Sequence, residues 1–374
     1  MRGRRALLLV AIAAAQFVMF EAALRIWGHS EAAPSFQALF IPDPVIGYRL
    51  QPHARTRFVT AEFDTTIAIN GQGVRDDREI GPKPPGERRI VVLGDSLVLS
   101  VQVDVRQTFC RLLEERLNQA ESSRPGEERV HYRVINAGVQ GYGPVEELLF
   151  YREIARAFEP DLVIETIFVG NDAEDAVASA SKLRTASRAQ VDNRSISDAV
   201  SDSLGSRLRR LVRRSMVLQV LRLRVVSVTD RLSNWMTPPE PPLQTYAATP
   251  APRIADGLRI SRDCVEAIAS DAASIHAKTM VLLIPARFQV DDADYGHLKA
   301  AVDGAGGRLV RDAASERFND TLSSLPIPRF DALPALRAAL PGPDVYFQQT
   351  VHLTPRGHQV LAAALEAFLR KQGI

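Results

Sequence analysis

The chain has 374 residues, 46 Lys and Arg against 44 Asp and Glu, and a formal net charge of +2. Hydrophobic residues at 46% and charged residues at 24% describe a globular protein with a sizeable core, in one large domain or one domain with additions. Nothing in the charge balance supports a nucleic-acid partner. The two cysteines, Cys110 and Cys264, make neither a disulfide framework nor a metal site, and two buried thiols are expected.

Arg2, Arg4 and Arg5 precede an apolar run over residues 6–20, which Glu21 interrupts before it resumes to Trp27. Counted to Trp27, the run reaches the length a membrane-spanning helix needs, about 20 residues. The arginines before it favour the cytoplasmic side. Residues 1–27 are therefore expected to be an uncleaved anchor, with the rest exported. The competing expectation is a signal peptide cleaved near Ala13, Ala14 and Ala15, which leaves a secreted protein.

Residues 28–87 read as a lead-in, with one or two short strands in the Thr-, Phe- and Val-rich stretch 57–69 and a linker at Lys83-Pro84-Pro85-Gly86-Glu87. From residue 88 to 374, strands and helices alternate. Apolar runs predict buried strands at 89–93, 132–135, 162–168 and 280–284, with a fifth at 328–331. Helical spacing predicts helices at 108–117, 145–158 and 258–278. Thr354 as cap and Pro355 at the first position mark the start of a last helix. Such alternation means an α/β fold, a parallel sheet covered by helices on both faces.

Residues 173–256 break the rhythm and read as an insertion. Its first part is rich in Ala, Ser, Arg and Asp. Residues 206–232 follow with leucines and valines among seven arginines from Arg207 to Arg224, a basic amphipathic helix or pair of helices. Either anionic lipid or the protein's own core can take its apolar face. Residues 237–252 are proline-rich.

Four short segments carry chemistry, and each sits at a strand end or a helix start. Gly94-Asp95-Ser96 follows the first strand of the alternation, where α/β sheets bind ligands. It is not the nucleophile elbow G-x-S-x-G, because position 98 is Val. The run Asn136-Ala137-Gly138-Val139-Gln140-Gly141-Tyr142-Gly143 follows the second strand, with glycines that allow close backbone approach. Gly170-Asn171-Asp172 follows the third, where the Asn side chain can face a developing oxyanion. His352-Leu353-Thr354-Pro355 precedes the last helix.

Taken in this order, the segments resemble those of the SGNH/GDSL hydrolase superfamily: G-D-S, N-x-G-x-x-G, G-N-D, then a late His. The resemblance covers about residues 88–172 and 257–370. The lead-in residues Gly47-Tyr48-Arg49, Asn70, Gly73, Val74, Arg75 and Asp76 are similar to those of its membrane-anchored bacterial members. It implies a flavodoxin-like three-layer α/β/α SGNH fold. It also implies Ser96 as nucleophile, His352 as general base, and an oxyanion hole from the backbone N–H groups of Ser96 and Gly141 and the side chain of Asn171.

The chain departs from the family pattern where an Asp precedes the histidine, because Gln349 and Thr350 stand there. Gln349 or a backbone carbonyl could accept from the second ring nitrogen. Asp344 or Asp331 could substitute through an altered loop. Lost catalysis is the third reading. Leu97-Val98-Leu99 after the nucleophile suggests a more apolar pocket. His358 is expected to pack or face solvent, and Asp95 and Asp172 to hold their turns.

The expected activity is that of a serine-dependent esterase or O-acyltransferase on an acylated envelope glycan or a lipid-like ester. It would lie on the periplasmic side of a bacterial inner membrane, with the N-terminal helix and residues 206–232 as membrane contacts and without a cofactor or metal. The alternative is a catalytically impaired binding protein in envelope polysaccharide assembly. A nucleotide-binding reading fails, since neither phosphate-loop fingerprint is present.

Overall fold

The computed structural model describes residue 16 and residues 36–122, 129–191, 243–342 and 344–373. The expected anchor at 1–27 therefore lies outside the described residues apart from Gln16, as does the basic stretch 206–232. Among the described residues, no helix is long and apolar enough to cross a membrane.

The lead-in forms two antiparallel hairpins. β1 (Phe40–Asp43) pairs with β2 (Gly47–Leu50), and β3 (Arg55–Val59) pairs with β4 (Asp64–Ala68). Only the second was expected. The first has four-residue strands without alternation of exposed and buried positions, so period-two patterning cannot reveal it.

The alternation after the linker builds the core. β5 (Glu87–Gly94) leads into the single-turn α1 (Ser96–Leu99), followed by α2 (Phe109–Ser122) and β6 (His131–Gly138). Next come α3 (Pro144–Glu153), β7 (Leu162–Phe168), α4 (Asp172–Val191), α5 (Pro252–Ala273) and β8 (Lys278–Ile284). The last part holds α6 (Arg287–Val290), α7 (Asp292–Gly304), α8 (Ala313–Leu322), β9 (Arg329–Asp331), α9 (Leu333–Ala338) and α10 (Pro355–Lys371).

The five core strands are all parallel, in the order β6-β5-β7-β8-β9. Counted from the first core strand this is 2-1-3-4-5, the doubly wound flavodoxin-like order. Side chains alternate between the two faces of the sheet. Ile90 and Val92 face α2 and α10, whereas Val91 and Leu93 face α3 and the lead-in. All four are at most 1% exposed, and each such side chain contributes roughly 1.5–3 kcal/mol by leaving water. Thr354 caps α10 by accepting the Gly357 N–H at 3.2 Å, as expected.

The edges of the expected insertion belong to the core. Ala173 and Ala176 on α4 are fully buried, as are Thr245 and Tyr246. The helix placed at 258–278 begins earlier, with Pro252 in its first turn, and ends at Ala273. Lys278 already starts β8, where it pairs with Leu162. Apolar periodicity continues through 274–278, so only the sheet decides the boundary.

Candidate active site

Parallel pairing puts the carboxyl ends of β6, β5 and β7 side by side, because Gly94 pairs with Gly138, and Leu93 with Glu165. Ser96, Gly141 and Asn171 each lie two or three residues beyond those strand ends. The structure thus gathers them on one edge of the sheet. Tyr346 ties the histidine loop to the same edge, its hydroxyl donating to Pro285 O at 2.6 Å just beyond β8.

Ser96 opens α1, and its side chain retains slight exposure at 7%. Asp95 caps that turn by accepting the Leu97 N–H at 2.7 Å, the expected role. Burial pushes the Asp95 carboxyl up to about 7, against the lowering effect of the Leu97 N–H. Leu97, Val98 and Leu99 are buried in the two core clusters. They anchor the turn that Ser96 opens, so the apolar pocket expected from them does not form there.

The loop after β6 needs its glycines for two reasons. At Gly138 a Cβ would lie 2.4 Å from Leu99 N and 2.7 Å from Val98 Cβ, so the loop and α1 can touch only if no side chain intervenes. Gly141 has φ of +73°, a conformation open to glycine at little cost. Asn136 serves this packing and not the substrate: its amide donates to Val98 O at 2.7 Å.

Asn171 directs one amide N–H to the Asp175 carboxylate at 2.7 Å. An Asn amide has two N–H donors, so the second is available to another acceptor. Asp175 is raised to about 6, by burial first and then by Glu146 and Glu174. Asp172 holds its turn by accepting the Phe168 N–H at 2.8 Å, as expected.

Both ring nitrogens of His352 are buried and have no hydrogen-bond partner among the described residues. Burial lowers its pKa to about 4, so the imidazole is neutral at ordinary pH. The acids and amides considered for it are engaged elsewhere or face solvent. Asp344 accepts from the Gln348 side chain at 2.7 Å. Asp331 is held by Asn319 at 3.2 Å and the Leu333 N–H at 2.9 Å. Gln349 is exposed and uses its backbone N–H toward Glu62 at 2.9 Å. His358 is buried inside α10, where its Nδ1 accepts the Phe109 N–H at 3.2 Å and its ring stacks on Phe109.

Beside the histidine loop lies a cavity of about 670 Å³, walled by Phe168, Gly170, Tyr246, Phe288, Leu298 and residues 348–351 among others. Its volume is that of a small-molecule site, and its lining is mostly apolar. Its lining includes Gly170 and Val351, the chain neighbours of Asn171 and His352, but not Ser96, Gly141, Asn171 or His352 themselves.

Sequence reasoning missed several groups. Arg75 of the lead-in is 1% exposed and donates to the carbonyls of Leu99, Ser100 and Val103, which bind the loop after Ser96. Glu147 and Glu165 form a buried carboxyl pair between α3 and the sheet. Burial raises both, and the facing Glu165 charge raises Glu147 further. An acid within a predicted apolar strand was the available signal for Glu165. Arg75 stood in the lead-in pattern, but nothing local indicated the carbonyls it binds. Among the described residues, no group of three or more His, Cys, Asp or Glu side chains is placed to hold a metal ion. Cys110 and Cys264 are buried free thiols.

No protein-family model matches the chain, and neither does any curated protein. Among solved structures it is similar to TesA, with a TM-score of 0.40 and 14% identity over 76% of this chain and 99% of that one. It is also similar to a catalytic mutant of Axe2, an acetylxylan esterase from Geobacillus stearothermophilus, with a TM-score of 0.39 and 11% identity over 75% of this chain and 94% of that one. A third is the psychrotrophic esterase EstA from Pseudoalteromonas sp., with a TM-score of 0.39 and 11% identity over 76% and 98%. At such scores the likeness carries no argument about this chain, and its reading rests on its own residues.

Proposed function

We propose that this chain is a serine-dependent ester hydrolase with Ser96 as nucleophile and His352 as general base. One observation carries the reading: Ser96, Gly141 and Asn171 stand at the carboxyl ends of three adjacent parallel strands. Ser96 Oγ attacks the ester carbonyl carbon while His352 takes its proton. The carbonyl oxygen becomes an oxyanion, which accepts from the Ser96 and Gly141 N–H groups and the free N–H of Asn171. His352 returns the proton to the leaving alcohol, and an acyl-serine forms. Water attacks the acyl carbon, gives its proton to His352, and Ser96 leaves with that proton.

The substrate class we favour is a lipid-like ester or an acylated envelope glycan with an apolar acyl group, because the adjoining cavity is large and mostly apolar. A sugar hydroxyl in place of water makes the same site an O-acyltransferase. The basic residues and apolar run at the N-terminus support placement at the outer face of a bacterial inner membrane.

On p-nitrophenyl esters, Ser96→Ala and His352→Ala are each expected to lower kcat by roughly a thousand-fold or more. A fluorophosphonate probe is expected to attach at Ser96, and the octanoyl ester to exceed the acetyl ester in kcat/KM. Full rate in both variants overturns the assignment. The second reading is a binding protein without turnover, favoured by the missing carboxylate at His352. It predicts a folded wild type that neither hydrolyses the esters nor takes up the probe.

A further inference from the structure

The histidine loop is held by a residue from far along the chain. Glu62 sits in the turn between β3 and β4, and its two carboxylate oxygens accept successive backbone N–H groups of the loop. The distances are 2.7 Å to Gln348 N and 2.9 Å to Gln349 N. Phe63 beside it packs on Phe347, with ring centroids 5.5 Å apart. From the opposite side, Arg287 on α6 donates to the carbonyls of Phe347 and Gln348 and is itself paired with Asp294. The peptide between 347 and 349 is thus gripped at its carbonyls by a cation and at its N–H groups by an anion. Charge-assisted bonds of this kind are about twice as strong as neutral ones.

The gripped segment leads directly to the base. Phe347 N donates to His352 O at 2.9 Å, closing the loop on itself. The same lead-in also reaches the nucleophile's side, where Thr65 on β4 donates to Val101 O at 2.6 Å. One hairpin therefore touches both the loop after Ser96 and the loop before His352.

We propose that Glu62 is a positioning residue for His352 and that the β3–β4 hairpin is a working part of the active site. The inference rests on the esterase reading for its catalytic consequence, though not for the contact itself. Glu62 does not replace the missing triad acid electrostatically, because only burial perturbs His352. It acts through the backbone, fixing the loop in which that acid is absent. Small displacements of a catalytic group cost rate, on the order of a hundred-fold for about 1 Å.

The test uses the full chain and two readouts. In Glu62→Gln, which keeps shape and loses charge and one acceptor, amide hydrogen exchange over residues 344–353 is expected to accelerate while β5–β7 stay protected. On a p-nitrophenyl ester, kcat is expected to fall roughly ten-fold with KM nearly unchanged, and Glu62→Ala to fall further, roughly a hundred-fold. Asp256→Asn, which breaks an exposed ion pair with Arg259 on α5, is expected to leave both readouts as in the wild type. Unchanged exchange in Glu62→Gln and Glu62→Ala overturns the proposal whether or not the wild type is active. Faster exchange with an unchanged kcat in an active enzyme also overturns it. A wild type inactive toward ester and probe refutes the esterase reading, and exchange alone then decides whether Glu62 holds the loop.

Discussion

His352, the proposed base, has no carboxylate on either ring nitrogen among the described residues, and its environment determines how it can work. Burial lowers its pKa to about 4, with no charged group of the described residues shifting it further, so burial opposes the charge that proton uptake creates. The ground-state imidazole, in turn, stays unprotonated far into the acid range. The neutral form is the active base, so rate falls as pH drops through the folded pKa. The acid limb of kcat/KM is expected near pH 4, where an ordinary histidine would place it near 6.5. Initial rates after brief pH jumps measure this, and a limb near 6.5 would show a partner for His352 in the working enzyme. Asn171 shows the opposite design: Asp175 fixes its amide at 2.7 Å, leaving one N–H free. The residue types at 96, 141, 171 and 352 could be read from short motifs. Asp175 could not be singled out, since an acid in the first turn of a helix is commonplace.

At the level of elements, the site depends on how closely β6's exit can approach α1. A Cβ at position 138 would meet Leu99 N at 2.4 Å, a backbone atom that cannot swing aside. Gly138→Ala is therefore expected to push α1 and Ser96 from their place. The expected outcome is a loss of kcat of roughly a hundred-fold with destabilisation of about 1–3 kcal/mol, measured by steady-state kinetics and urea unfolding. Rate and stability equal to the wild type would show that the two elements are not in contact. The strands themselves were readable because buried parallel strands are mostly apolar runs: Leu162–Phe168, broken only by Glu165 and Thr166, has the expected bounds. Helix ends were less readable. α5 begins at Pro252, inside the proline-rich stretch that reads as loop, because proline in a first turn and proline in a linker look alike locally.

Across the whole molecule, long-range polar contacts join the lead-in to the sheet edge. Arg75 and Thr65 bind the loop after Ser96, Tyr48 binds Gln140 in the loop after β6, and Glu62 binds the histidine loop. The buried acids beneath that edge set a pH dependence. Glu165 ionises near 4.5 when unfolded but is raised to about 7 in the fold, chiefly by burial, with Glu147 facing it. The native state thus holds more protons between those values, and stability falls as pH rises from about 4.5 to 7. Glu165→Gln is expected to flatten that fall, gaining on the order of 2 kcal/mol over the wild type at pH 8 relative to pH 4.5. Urea midpoints at the two values test this. Parallel changes in both proteins would place the titration elsewhere.

The order of strands and helices, the glycine-bearing turns and the cap at Thr354 were set by the sequence alone, since each depends on residues within a few positions of one another. Periodicity and turn chemistry are local, and local signals survive without a fold. Tertiary structure alone decided which strands are neighbours, where the lead-in docks, that Asp344 is taken by Gln348, and that Glu62 reaches Gln348 across 286 positions. Such pairs leave no local trace, because a carboxylate in a turn and a backbone N–H in a loop look ordinary until chain closure brings them within 3 Å.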